Sequence, residues 1–216
     1  MLTLRLFSLS VAIVAMCAAA VIVTDAHAAT GDTCAAPPPV KRSPKRVTER
    51  PTAAQPYVVE VWGDSVALME APHLSHHLPG STLRVRAAHG ALLSQYAGHQ
   101  DGTQVLVIAT GVNEPDAGMD ADTFRQALAD AVVQAQTQGV RVILVTPQRP
   151  RADYATDVTL HLAAVRDVAR ITGATLVDRY ALVGTLTRDE RLSTQVLPTA
   201  RAADLGARAV AKAVQS

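Results

Sequence analysis

Aromatic residues are scarce in this chain. Two Phe, four Tyr and one Trp make up 3% of its 216 residues, although 49% of the chain is hydrophobic. A core so short of rings must be built from Ala, Val and Leu. That argues against an aromatic-rich all-β protein and for helices packed on parallel strands. Cysteine is nearly absent too, with only Cys17 and Cys34. If the N-terminal segment holding Cys17 is removed, Cys34 has no internal partner, and packing rather than a disulfide holds the fold. Nor is there an excess of positive charge. The formal net charge is +1 overall, and from Tyr57 onward 14 Lys/Arg stand against 16 Asp/Glu, a net of −2. That balance excludes a nucleic-acid partner for this part. No internal repeat occurs, and the length suits one domain with one core.

The first residues are organised differently from the rest. Arg5 is followed by an apolar run from Leu6 to Val23 and by the small-x-small ending Ala26-His27-Ala28. Residues 1–28 therefore read as a secretory signal cleaved after Ala28, with an uncleaved membrane anchor as the alternative. The bulky Met16 before Cys17 argues against lipid attachment there. Residues 29–56, rich in Pro and polar residues without apolar periodicity, read as a linker. Lys41, Arg42, Lys45, Arg46 and Arg50 make it basic, enough for weak attraction to an anionic envelope surface. The protein is thus expected in the periplasm or outside the cell.

Residues 57–216 alternate short apolar runs with helical patterns, the signature of a parallel sheet covered by helices on both faces. The expected strands are Tyr57–Trp62, Thr82–Ala87, Gln104–Thr110, Arg141–Thr146 and Thr175–Asp178. Phe124, Leu128, Ala131, Val132 and Ala135 share one helical face, and Val158, Leu162, Val165 and Ala169 share another. A last helix is expected from about Ala202 to Val214. Ligands of such folds bind outside the carboxyl ends of the strands. Three loops fall there: Gly63-Asp64-Ser65 after the first strand, Ala88-His89-Gly90 after the second, and Gly111-Val112-Asn113-Glu114 after the third. On its own, Gly-Asp-Ser also suits a helix cap, since Asp64 or Ser65 could satisfy free backbone amides.

Taken together, the three blocks resemble the SGNH hydrolases, also called the GDSL family of esterases and lipases. The resemblance covers most of Tyr57 to Val214. It implies a single flavodoxin-like, three-layer α/β/α domain with a five-stranded parallel sheet of order 2-1-3-4-5. It further implies that Ser65 is the nucleophile, and that the Gly90 backbone N–H and the Asn113 side-chain amide form the oxyanion hole. The Ser65 N–H, at a helix start, would add a donor. Preorganised donors of this kind are each worth roughly 100- to 1,000-fold in rate. Glu114 stands where the family usually has Asp.

The pattern breaks at the C-terminus. The family's base is a histidine just before the last helix, three residues after an aspartate, but no histidine follows His161 here. Aligning Gly206 with the family's helix glycine puts Pro198 and Arg201 at those two places. A guanidinium stays protonated and cannot serve as base, and loss of the base in a serine hydrolase costs on the order of a millionfold in turnover. His89, beside Gly90, is the one candidate substitute, with Glu114 or Asp116 to orient it. His73, His76 and His77 read as a solvated helix end. The i, i+4 pair His73 and His77 would suit a metal but lacks an evident third ligand. His99 reads as surface and His161 as structural.

Two functions follow. One is an exported hydrolase acting on an acyl or acetyl ester of a carbohydrate or lipid. The other is a non-catalytic relative that keeps the pocket for binding, with Arg201 pairing an anionic group on its ligand. Both readings describe a monomer with no metal and no other cofactor. Trp62 reads as core, with stacking on a sugar as the alternative. Arg149 or Arg151, in the loop after the fourth strand, is placed to meet an anionic substrate.

Overall fold

The computed structural model describes residues 56–154 and 156–216. The expectations of a signal segment and a linker, with Cys17 and Cys34, fall on residues 1–55, outside the described part. The apolar runs become five parallel strands: β1 (Val58–Gly63), β2 (Thr82–Ala87), β3 (Val105–Ala109), β4 (Arg141–Val145) and β5 (Thr175–Val177). They pair in the order β2-β1-β3-β4-β5, so the expected topology holds, with strand ends within a residue or so of those read from the sequence. β3 is buried along its whole length, whereas β2, at the edge, has only exposed and half-buried residues. A strand covered on both faces must be apolar throughout, and an edge strand need not be.

Helices α1 (Ser65–His77) and α6 (Ala200–Gln215) cover one face of the sheet, and α2 (Ala121–Thr137) and α3 (Thr159–Thr172) cover the other. Val59, Val61, Val105, Val107 and Ile143 meet Ala67 and Leu74 of α1 and Ala207, Val210 and Val214 of α6. Trp62, Leu106, Ile108 and Leu144 meet Phe124, Leu128 and Val132 of α2 and Val165 and Val168 of α3. Ala131, expected on the buried face of α2, is only half-buried at its margin. The chain also forms two short helices, α4 (Arg179–Val183) and α5 (Arg188–Arg191), which the sequence reading did not anticipate. Among the described residues, no helix is long and apolar enough to cross a membrane.

Candidate active site

β1 runs into α1 with a single residue between them. That residue, Asp64, is the helix cap: it has extended backbone, and its carboxylate accepts from Val66 N at 2.8 Å. Ser65 is therefore spared the capping role. It is the first residue of α1, 7% exposed, and its hydroxyl has no hydrogen-bond partner among the described residues. Gly63 permits this tight junction, since a Cβ there would overlap that of Ala67 and lie 3.2 Å from the Ala109 carbonyl. The Gly63 carbonyl accepts from the Tyr96 hydroxyl at 2.5 Å and from Ala88 N at 3.3 Å. The second contact ties the β2 loop to the serine's own turn.

In the β2 loop, Ala91 N donates to Ala88 O at 3.2 Å, and Gly90 takes the left-handed φ of +72° that favours glycine. The Gly90 N–H has no acceptor among the described residues. Asn113 donates from Nδ2 to Ala91 O at 3.1 Å. Its neighbour Glu114 is fully buried and accepts from Leu93 N at 2.9 Å and Gly111 N at 2.8 Å. Burial pushes the Glu114 pKa up against the pull of these amides. Asn113 and Glu114 thus fasten the β3 loop to the β2 loop, and the turns carrying Ser65, Gly90 and Asn113 meet at adjacent strand ends.

His89 does not join them by a hydrogen bond. It is exposed and bonds neither Ser65 nor a carboxylate among the described residues. Its two expected orienters are engaged elsewhere. Both Glu114 oxygens hold backbone amides, and Asp116 accepts from the Tyr154 and Thr156 hydroxyls. The orienting role expected of Glu114 or Asp116 is corrected accordingly.

The C-terminal segment needs a second correction. Thr199 caps α6 through Ala202 N, so Arg201 lies inside the first turn of the helix rather than before it. There it pairs with Glu190 of α5, with its side chain 67% exposed. Pro198 is buried and bridges Leu192. Thr194 and Leu197, three apart in the segment before the cap, are joined by Leu197 N donating to Thr194 Oγ1 at 3.1 Å. Neither is a carboxylate or an imidazole.

Beneath the serine lies a charged cluster that the sequence reading missed. Arg179 is wholly buried and donates from Nη1 to Glu70 Oε2 at 3.0 Å. Its Nε and Nη2, Glu70 Oε1 and Asp64 Oδ2 are buried without partners among the described residues. Burial drives the Asp64 pKa up to about 6 even though the Arg179 charge opposes it, and it raises Glu70 against the same arginine. The available signal was a carboxylate inside the apolar run Ala67-Leu68-Met69-Glu70-Ala71. The same signal marks Glu60 in β1. Buried, it accepts from Trp62 Nε1, Gln100 N, Thr103 Oγ1 and Arg86. Burial raises its pKa, but these donors outweigh that and leave it lowered.

The remaining candidates are placed as follows. Trp62 is a core residue, 2% exposed and stacked on Tyr96 at 5.5 Å. His161 is buried, bonded to Met119 O at 3.0 Å and packed against Phe124. His99 is half-buried. His77, expected at a solvated helix end, instead meets Asp204 of α6 at 2.7 Å, with His73 at 3.6 Å. Among the described residues, no three His, Cys, Asp or Glu are grouped to hold a metal ion. Arg151 is engaged by Asp153 through two hydrogen bonds, while Arg149 lies over the Tyr180 ring.

No protein-family model matches the sequence, and no curated protein matches it. Solved structures match by fold. A candidate SGNH hydrolase from Slackia heliotrinireducens superposes with a TM-score of 0.63 at 20% identity, over 74% of this chain and 100% of that one. A GDSL-like lipase from Bacteroides thetaiotaomicron gives 0.61 at 15%, over 73% and 86%. An acetyl xylan esterase gives 0.57 at 19%, over 72% and 98%. The fold of this chain is that of the SGNH hydrolases.

Proposed function

We propose that this chain, built on the SGNH hydrolase fold, is an exported ester hydrolase of low intrinsic turnover. The observation that carries the reading is the unengaged Ser65 hydroxyl, held at the start of α1 where the Gly90 and Asn113 loops are fastened together. In the proposed reaction Ser65 Oγ attacks the ester carbonyl carbon, and its proton passes to solvent. The carbonyl oxygen becomes an oxyanion facing the N–H groups of Ser65 and Gly90 and the free amide hydrogen of Asn113. Collapse expels the alcohol, protonated by water, and water then releases the acid from the acyl-serine. Acyl or acetyl esters of a carbohydrate or lipid are the substrate class. The missing histidine favours a second reading, in which the site only binds its ligand.

The test combines a fluorophosphonate probe with hydrolysis of p-nitrophenyl acetate. Wild type should be labelled at Ser65 and hydrolyse slowly, and Ser65→Ala should lose both. Because α6 starts at Ala200, the restoring pair belongs at Thr194→Asp with Leu197→His rather than at Pro198 and Arg201. General-base assistance is worth about 100- to 10,000-fold, so this double variant should gain roughly 100-fold or more. A His89→Ala variant should keep the wild-type rate. No labelling and no turnover, even in the double variant, would leave the binding reading standing and the hydrolase reading wrong. On export, the mature chain should begin at Ala29, and a protein recovered intact from Met1 would oppose that.

A further inference from the structure

Every other arginine of the described chain donates at least one side-chain hydrogen bond, to a carboxylate or to a carbonyl. Arg149 and Arg191 donate none among the described residues, and both line one cleft of about 360 Å³ together with Tyr180, Tyr154, Arg151 and Asp157. Two guanidinium groups without an ion-pair partner in one cleft are an unfavourable arrangement unless something negative is to lie between them.

We propose that this cleft binds an oxyanion group, a phosphate or a carboxylate, held by Arg149 and Arg191. That the group belongs to an ester substrate rests on the hydrolase reading; that the cleft binds an anion does not. Arg149 is held in place beforehand. Its guanidinium lies 5.4 Å from the centre of the Tyr180 ring, and a Cβ on Gly184 would come within 2.8 Å of its Nη1. The bare glycine therefore leaves the space the guanidinium occupies. The Arg191 Nε is buried and unpartnered. Burial, and then the charge of Arg149, pull its pKa down, as expected of two like charges held close without compensation.

Among the described residues, neither of the other two charged side chains of the cleft forms an ion pair with Arg149 or Arg191. Arg151 is held by Asp153, and the Asp157 carboxylate accepts from Thr159 N at 2.8 Å. The cleft also belongs to the same end of the molecule as Ser65. Arg149 follows β4, the neighbour of β3, and Tyr180 follows β5, the next strand out, both at carboxyl ends. Tyr154 and Thr156 of its wall both bond Asp116, three residues beyond Asn113. An ester whose acyl carbon sits at Ser65 would thus carry its negative group toward β5.

Calorimetric titration of the full chain with sodium phosphate and with sodium acetate, at fixed ionic strength, tests this. Wild type should bind at least one of the two saturably; preference for one tells phosphate from carboxylate. Arg149→Gln and Arg191→Gln should each weaken binding roughly 10-fold or more, the scale of a lost charged hydrogen bond, and Arg84→Gln, in β2 and outside the cleft, should stay within about 2-fold. Arg191→Lys, which keeps the charge but not the fork, should fall between wild type and Arg191→Gln; it also serves if the glutamine variant does not fold. The proposal is overturned if wild type binds neither anion, or if the Arg149→Gln, Arg191→Gln double variant binds as wild type does. Anion binding without fluorophosphonate labelling of Ser65 would instead sink the hydrolase reading alone.

Discussion

Asp64 caps α1 and is also a buried carboxylate, and the two roles act on its proton in opposite directions. The Val66 amide and the Arg179 charge favour the ionised form, while loss of water favours the neutral one and prevails, raising the pKa from 3.8 to about 6. A group with a raised folded-state pKa contributes stability that is complete below its unfolded value and fades as pH rises through the folded one. Asp64 should therefore support the fold fully below about pH 4 and weaken it between about pH 4 and 6. Asn caps a helix as well as Asp does but carries no charge. Asp64→Asn should thus be more stable than wild type at pH 7.5, by on the order of 1–3 kcal/mol, and show no such gain at pH 3.5. Urea melts at both pH values decide the matter: a variant less stable than wild type at pH 7.5 would mean that Arg179 and the cap outweigh burial.

Elements meet through pairs that lie far apart in the chain, and this is where the sequence is least informative. The strands were legible because runs such as Val105-Leu106-Val107-Ile108 are apolar without break, and the loops bearing Ser65, Gly90 and Asn113 because they end such runs. Periodicity reads a window of about three to five helical turns. It does not see Arg179 reaching Glu70, or His77 reaching Asp204, across more than 100 residues. It also missed the start of α6: alignment on Gly206 placed Arg201 before the helix, whereas the Thr199 cap sets the first turn. The α1–α6 contact offers a test at this scale. The hydrogen bond from His77, followed by that from Arg208, holds the Asp204 pKa below the usual carboxylate range, against a small opposing effect of burial. A lowered pKa contributes stability above the unfolded value of 3.8 and loses it as pH falls through the folded one. Asp204 is partly exposed, so Asp204→Asn should cost no more than about 1 kcal/mol at pH 6. The cost should vanish near pH 2. Equal stability of variant and wild type at pH 6 would show that the two helices are held by their apolar faces alone.

At the scale of the whole molecule, the question is where the folding unit begins. Tyr57 N donates to Ser81 Oγ, and Val58 N to Gln104 Oε1, so the chain is tied into the sheet from its first described residues onward. Beyond that point both faces of the five-stranded sheet are covered, α1 and α6 on one side and α2 and α3 on the other. Among the described residues, two apolar clusters each join strands of the sheet to the helices that cover one of its faces. A unit that buries its own core and satisfies its own sheet should fold without the preceding chain. A protein starting at Pro56 should accordingly be soluble and unfold in one cooperative step, with a urea midpoint close to that of the longer chain. It should also keep the acetate or phosphate affinity of the arginine cleft, because Arg149, Arg191 and Tyr180 lie within the unit. Loss of the cooperative transition would place part of the core before residue 56. A folded protein that had lost anion binding would show that the preceding residues complete the cleft.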